Sequence, residues 1–563
     1  MPQANLSMSS VSRLMGTALS PAELEEILFR TKVEPVEVKD DELRVEVTHD
    51  RLDLLCESGI ANLLHGLQRG KSLAPLPEPS PVRTPVEVRV DPATDPLRSH
   101  LRMVVAHAPG TSTLDVDLLS ELIRFQEVLH TSLGFDRREG SLGIYPMKDL
   151  EPPFVYTMER IADIRFTPLP LDGTPSREVG GKEFFEGHPM ALKYGGLGRQ
   201  GESALTLRDH AGHLLSLPPT LNSARHGQVE PGESEILIES TGRNPRTVRD
   251  MVGYLLLPFA ARGWTFSTVA LHSPHEAEGG SPLELRRVEY SPAALEALLG
   301  RPVPTEVATK ALASFGMKVH SGTPRSTALV PPWRPDILGE VDLAEEIMIH
   351  EGLSSFSAEE NSHATRGRRL PFSRYCDRLT EVLLGMGYQE VHTPVLISER
   401  AALEFGLPES YLRISNPVSE DLGFVRTTLL PSLLGVLAAN ADFGYPQHIQ
   451  EIAEVVVPDK ASEIGSNTFL HLGAVYAGEG AGFATGMALA ERLLRVIGMP
   501  GIKEPCELPG AIRGRSARIR LVGEPVAVVG EIHPEVLAVH KIPAPVCWVE
   551  FDLSLIWRLS GHT

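Results

Sequence analysis

An α+β multidomain fold is predicted by three observations. The chain has 563 residues, enough for three to five domains at roughly 100–200 residues each. Short β-branched runs such as Val86-Glu87-Val88-Arg89-Val90 and Ile236-Leu237-Ile238-Glu239 alternate with helical patterns such as residues 115–133. One pattern also recurs: R-x-D-[LI]-L-x-E stands at residues 51–57 and again at 334–340.

The repeat defines two small modules, residues 1–75 and 285–356. In the first copy Gly16 precedes Ser20-Pro21-Ala22-Glu23-Leu24, and Val47-Thr48-His49-Asp50 leads into Arg51-Leu52-Asp53-Leu54-Leu55. In the second, Gly300 precedes a segment from Thr305 to Leu312, and Val330-Pro331-Pro332-Trp333 leads into Arg334-Pro335-Asp336-Ile337-Leu338. From Gly to Arg is 35 residues in one copy and 34 in the other. Each copy reads as helix, strand, turn, helix, a unit that binds or braces more often than it catalyses.

Three linkers separate the pieces. Five prolines between Pro75 and Pro85 favour an extended tether. Residues 272–282 read as a second linker and residues 354–369 as a third. Between the first two lies an α+β domain, residues 86–271. After the third, residues 369–563 form another α+β domain. Its expected elements are an amphipathic helix at 372–386, a strand at 388–395, and later strands near 450–457, 470–477, 517–521, 526–529 and 546–551. Gly478-Glu479-Gly480-Ala481-Gly482 lacks the spacing of a phosphate-binding loop and is expected to be a loop before a helix at 485–497.

Composition excludes several functions. Lys plus Arg number 53 against 73 Asp plus Glu, a formal −20, which argues against non-specific coating of nucleic acid or anionic membrane. Cys56, Cys376, Cys506 and Cys547 form no C-x-x-C pair, so neither a zinc ribbon nor a disulfide framework is encoded, and reduced cytosol is the expected compartment. The nearly apolar run 251–261 is far shorter than the ~20 residues of a membrane span. The N-terminal residues show no basic-then-apolar export signal.

Two groups of residues point to chemistry. Asp342, Glu345 and Glu346 stand at i, i+3 and i+4 at a helix start, with Asp336 in the preceding turn. Four convergent carboxylates suit a hard cation such as Mg²⁺, and the alternative is an acidic first turn complementing the helix dipole. Asn62 and Leu63 hold the places of Glu345 and Glu346 in the first copy, so no cation site is expected there. In the last domain, Gly387-Tyr388-Gln389-Glu390-Val391-His392-Thr393-Pro394 follows a helix, and Val425-Arg426-Thr427-Thr428-Leu429-Leu430-Pro431 opens another. In that order they resemble motifs 1 and 2 of class II aminoacyl-tRNA synthetases.

Taken whole, the chain resembles the phenylalanyl-tRNA synthetase β-subunit family in its archaeal and eukaryotic-cytosolic form. Further matching segments are Gly143-Ile144-Tyr145, Leu150-Glu151-Pro152-Pro153-Phe154, His188-Pro189, Leu215-Ser216-Leu217-Pro218-Pro219, Glu239-Ser240-Thr241-Gly242 and Gly530-Glu531-Ile532-His533-Pro534-Glu535. The resemblance implies a heterotetramer of two α and two β chains that aminoacylates phenylalanine tRNA, with ATP and Mg²⁺ used at the α-subunit site. It makes residues 369–563 a non-catalytic, class II synthetase-like antiparallel-sheet domain. The sequence agrees, since Arg426 lacks the following x-Glu and no G-x-G-x-G-x-x-R closes the chain. Arginines at those places hold ATP phosphates in working enzymes.

Residues 86–271 resemble an editing domain that hydrolyses tyrosine mischarged on the phenylalanine tRNA. Carried over by position, Leu207 and Ser216 line its pocket and Glu239 and Thr241 contact the substrate, with Glu239 accepting the tyrosine hydroxyl. The alternative places Glu239 on a solvent-facing strand. The resemblance also assigns Asp336, Asp342, Glu345 and Glu346 to a structural Mg²⁺ site. Two other functions stay open: a non-catalytic tRNA-binding or interaction paralogue, and a free-standing editing hydrolase. The expected setting is cytoplasmic, with no membrane partner.

Overall fold

The computed structural model describes residues 2–17, 20–77, 86–171, 177–357, 365–405 and 411–561. The chain forms two compact units, residues 1–360 and 361–563. It is mixed α and β with several separate sheets.

In the first unit the two copies follow one order of elements. Gln3–Ser7, Met8–Met15, Pro21–Phe29, Val33–Lys39, Glu42–Val47 and Glu57–Arg69 make the first copy. Arg286–Tyr290, Pro292–Leu299, Thr305–Ser314, Lys318–His320, Ser326–Val330 and Glu340–Glu351 make the second. In both, the third strand lies between the other two in an antiparallel three-stranded sheet. Gly16 and Gly300 close the equivalent first helices with φ of 66° and 70°, a left-handed geometry that costs glycine no Cβ clash. The copies pack closely at Gly66, where a Cβ would overlap the main-chain oxygen of Ser314. Both copies and the helix Pro245–Ala260 share one apolar core.

Between the copies in sequence lies a two-layer β structure. A four-stranded sheet runs Thr265–Thr268, His100–His107, Glu235–Gly242, Gly140–Pro146. Successive side chains of a strand point to opposite faces. Ile236, Ile238, Val104 and Ala106 accordingly pack on the helices Val116–Thr131 and Pro245–Ala260. Leu237, Met103 and Val105 instead pack with Val88, Tyr156 and Leu207 of a second, seven-stranded sheet. Asp115 starts the first helix by accepting from the Leu118 N–H at 2.7 Å, and Asn244 caps the second with Pro245 in its first turn.

The linker expectations fare differently. Residues 78–85 and 358–364, within the first and third, lie outside the described residues. Residues 272–282 are not a free tether: the Arg102 guanidinium donates to the Gly280 carbonyl at 2.9 Å, to the Glu276 carbonyl at 3.1 Å, and to that of Glu278.

Beside a small three-stranded sheet, Leu396–Ile397, Phe424–Val425, Leu412–Arg413, the second unit is built on a seven-stranded one, in the order Gln389–Glu390, Gln447–Pro458, Ser466–Ala477, Val546–Asp552, Glu524–Ile532, Ala511–Leu521, Ile502–Pro505. Only the first pair is parallel. One face buries Leu379, Leu383, Leu489, Leu493 and Ile556 from three helices. The other buries Leu430, Leu433, Leu434 and Leu537 from two more. The expected strand at 388–395 shrinks to Gln389–Glu390, because the Thr393 N–H is taken by the Glu451 carboxylate at 2.8 Å and Pro394 has no N–H to offer.

Candidate active site

The strand Glu235–Gly242 aims Leu237, Glu239 and Thr241 into the space between the two sheets. Glu239 lies opposite Met103 on one neighbouring strand and Gly143 on the other, and is 2% exposed. It does not face solvent. Two positions along from Gly143, Tyr145 folds back so that its hydroxyl donates to Glu239 Oε2 at 2.7 Å and lies 2.8 Å from Ser216 Oγ. Ser216 comes from the facing sheet, paired with Leu207 and Asn222. The meeting needs a glycine at 143, where a Cβ would fall inside contact distance of both Tyr145 Oη and Glu239 Oε2.

These groups line one side of a cavity of about 460 Å³, within the range of small-ligand sites. Its apolar wall includes Leu142, Ile144 and Met190, and its polar groups include Ser141, Thr220 and Asn222. The buried Thr220 hydroxyl faces it without a protein partner. Arg137 closes the rim, donating to the Pro219 carbonyl at 3.0 Å and to Glu127 at 2.8 Å. Burial works against ionisation of Glu127, yet hydrogen bonds from His130 and the Arg137 charge bring its carboxyl down to about 2.

Burial raises the Glu239 carboxyl to about 7, against the opposing pull of the Tyr145 hydroxyl, the Arg98 guanidinium and Thr241. The same buried setting pushes Tyr145 well above the usual phenol range. Arg98 sits behind, donating to Ser141 Oγ at 2.9 Å, to Thr241 Oγ1 at 3.3 Å and to the Thr241 carbonyl. A carboxyl poised near neutrality in an enclosed cleft can switch between accepting and donating a hydrogen bond.

Of the four residues expected here, Ser216 and Glu239 line the cavity together. Leu207, the strand partner of Ser216, is fully buried in the sandwich core, and Thr241 is fully buried in the Arg98 network. Sequence reasoning quoted Tyr145 and Gly143 only as part of a matching segment and passed over Arg98, Arg137 and Thr220. The spacing Gly143-x-Tyr145 on one strand is the signal that could have drawn attention to the first two.

Each of the four carboxylates that the resemblance assigns to Mg²⁺ has a protein partner here. Arg334 donates to Asp336 at 2.7 and 2.9 Å and to Glu346 at 2.6 and 3.2 Å. Asp342 accepts from the Leu338 and Gly339 N–H groups at 2.7 and 2.9 Å, and Glu345 pairs with Lys32 at 2.8 Å. Among the described residues no group of three or more His, Cys, Asp or Glu side chains is arranged to hold a metal ion.

In the second unit Arg426, 1% exposed, is enclosed. It donates to Thr393 Oγ1 at 2.7 Å and to the Glu454 carbonyl at 2.9 Å, and meets Glu451 at 3.3 Å. Its guanidinium is committed to the protein.

Comparisons with known proteins agree across the chain. Residues 288–353 match the tRNA synthetase B5 domain family, and residues 359–553 match the phenylalanyl tRNA synthetase beta chain CLM domain family. The chain is 30% identical to the phenylalanine–tRNA ligase beta subunit of Korarchaeum cryptofilum over 99% of each chain. It is 28% identical to that of Pyrococcus abyssi over 99% of this chain and 100% of the relative. An N-terminal fragment of the Pyrococcus horikoshii phenylalanyl-tRNA synthetase beta subunit superposes with a TM-score of 0.56 at 24% identity, covering 62% of this chain and 99% of the fragment. That last likeness is one of fold.

Proposed function

We infer function from one premise: the chain belongs to the phenylalanine–tRNA ligase β-subunit family, and so is a subunit of a ligase in phenylalanyl-tRNA synthesis. On our reading it works in the cytoplasm in a heterotetramer with two α subunits and binds phenylalanine tRNA. Aminoacylation, with ATP and Mg²⁺, takes place at the α-subunit site. The enclosure of Arg426 supports this division, since a buried guanidinium held through Nε and Nη1 by Thr393, Glu451 and Glu454 is not presented to ATP phosphates. No helix of the described residues is long and apolar enough to cross a membrane.

The chain's own reaction, on this reading, is hydrolysis of tyrosine mischarged on the phenylalanine tRNA. The observation that carries it is the buried Tyr145–Glu239–Ser216 group on the wall of a 460 Å³ cavity. An apolar pocket rejects an added hydroxyl only modestly, whereas a site built to hydrogen-bond that hydroxyl rejects the analogue lacking it strongly. Phenylalanine in this cavity leaves the Glu239 carboxylate buried without a new donor, and tyrosine supplies one. Ionised Glu239 accepts the phenol proton, Ser216 flanks it, and the apolar walls take the ring. Deacylation of Tyr-tRNA and Phe-tRNA by the full chain tests the reading. Loss of Tyr-tRNA hydrolysis in Glu239→Ala and Ser216→Ala supports it, and hydrolysis that survives both substitutions together overturns it.

A further inference from the structure

We propose that Tyr145 is the positioning residue of this pocket: its hydroxyl, bridging Ser216 and Glu239, holds the carboxylate as an acceptor turned toward the incoming tyrosine phenol. The proposal rests on the editing reading and goes one step into it.

Three features of the geometry carry it. Tyr145 donates to one carboxylate oxygen, Oε2, at 2.7 Å, which fixes the rotation of a group otherwise free to turn. Ser216 Oγ, at 2.8 Å, completes a chain running from the facing sheet to the carboxylate. The third is Gly143, whose missing side chain is what lets the two oxygens meet. All three side chains are buried against the cavity, and the Tyr145 hydroxyl is already engaged by Ser216 and by Glu239. Its action on a ligand is thus exerted through Glu239.

A donor on Oε2 favours the ionised carboxylate over the neutral acid. Neutral Glu239 would itself be a donor and would compete for the phenol oxygen rather than accept the phenol proton. Burial opposes ionisation and sets the titration near neutrality, so one hydrogen bond decides which form is present there. The other charged or titratable groups acting on Glu239 are Arg98, behind it at Thr241, and Tyr156 on the facing sheet. From the strand His100–His107 the residue opposite is Met103, which carries no charge. Neither Arg98 nor Tyr156 changes its charge near neutral pH, because Arg98 is lowered only to about 10 and Tyr156 is raised by burial.

The test is binding of 3′-tyrosylamido-adenosine and 3′-phenylalanylamido-adenosine, amides that resist hydrolysis, to the full chain across neutral pH. The readout is the ratio of the two affinities, in which titration of the shared α-amine cancels. The wild-type ratio is expected to rise with pH through about 7 as Glu239 ionises. Tyr145→Phe moves that rise up by about one to two pH units, the shift expected for loss of a hydrogen bond to a charged group, and tyrosine preference returns at the alkaline end. Ser216→Ala moves it in the same direction by less, and serves in place of Tyr145→Phe should that variant fail to fold. An unchanged midpoint in the substituted chain, or a preference lost at every pH, overturns the proposal for Tyr145. Failure of the editing reading looks different: the wild type then shows no tyrosine preference at any pH, and Glu239→Gln binds as wild type does.

Discussion

Arg51 and Glu346 meet at 3.6 Å across a buried seam, one from each copy of the repeated module. Arg334, the equivalent of Arg51 in the second copy, holds the same carboxylate at 2.6 Å, and all three side chains are about 2% exposed or less. The copies share a second tie, Ser7 N–H to Glu57 at 3.1 Å and Ser291 N–H to Glu340 at 3.4 Å, at matching positions. Glu346 has no counterpart, since Leu63 takes its place, so one carboxylate serves two guanidinium groups. Removing it leaves Arg51 with Asp53 and Arg334 with Asp336 but strips both of buried charge-assisted contacts, which costs about 1–3 kcal/mol. Glu346→Ala should therefore lower the denaturation midpoint of the first unit, read from the fluorescence of Trp264 and Trp333, far more than Glu345→Ala, whose partner Lys32 also holds Asp50.

Because Arg334, Lys32 and the Leu338–Gly339 amides occupy the four acidic residues, the fold of the first unit should not depend on Mg²⁺. Thermal melts of the full chain with excess EDTA and with added Mg²⁺ are expected to coincide. A chelator-induced fall in the midpoint, abolished in Asp336→Asn, would show that the carboxylates leave these partners for a cation.

Glu239 predicts a pH-dependent stability. Its folded-state value of about 7 lies above the ordinary carboxyl value, so between those limits the folded chain binds more protons than the unfolded one. The favourable contribution is complete below about pH 4 and is lost as pH rises through 7, a change of about 3 kcal/mol. Glu239→Gln keeps an acceptor for Tyr145 but has no proton to lose. Its melting temperature should gain on wild type between about pH 5 and about pH 8 and then run parallel. A constant gap across that window would falsify the assignment of the titration to Glu239.

What the sequence made legible follows from how locally each feature is written. The module repeat, the helices at 116–131 and 371–385 and the long strands of the second unit are set by residues within one turn or one strand of each other. Carboxylate spacing is local, while the side chains that meet the four carboxylates include Lys32, 313 residues from Glu345. The pocket was half legible: the family resemblance pointed to Ser216 and Glu239. Tyr145, which joins them, lies 71 residues from one and 94 from the other, and no periodicity links such distances. Leu207 and Thr241 were placed by the same resemblance; register sets Leu207 opposite Ser216 and alternation sets Thr241 on the face of Glu239, both fully buried.

Gly143→Ala should damage the pocket without touching a polar group. The new methyl competes with Tyr145 Oη and Glu239 Oε2 for the same space, and both side chains are buried. Overpacking of this kind costs about 1–3 kcal/mol, and relief requires the tyrosine to swing away from the carboxylate. The expected result is a lower melting temperature together with a fall of at least tenfold in Tyr-tRNA deacylation, about 1.4 kcal/mol in barrier. Gly140→Ala, on the same strand, meets Met251 and Thr247 on the opposite face and should cost stability with a smaller effect on deacylation. Equal losses of deacylation in the two variants would argue that the sheet, rather than the Tyr145–Glu239 contact, is what the reaction senses.

The Arg426 site predicts the division of labour with the α chain. A motif 2 arginine that binds ATP must present its guanidinium to solvent before the nucleotide arrives, whereas this one donates to Thr393, to Ser432 and to the Glu454 carbonyl and sits against the Glu451 carboxylate. Freeing it would leave Glu451 buried and uncompensated, a cost of several kcal/mol that phosphate binding would have to offset. The chain alone should therefore show no phenylalanine-dependent exchange of pyrophosphate into ATP, and exchange should appear when the α subunit is added. Arg426→Ala in the assembled enzyme then distinguishes structure from chemistry. With Arg426 acting as a brace, the substitution lowers the melting temperature of the second unit and leaves the KM for ATP unchanged. A raised KM for ATP with an unaltered melt would instead place this arginine at a nucleotide.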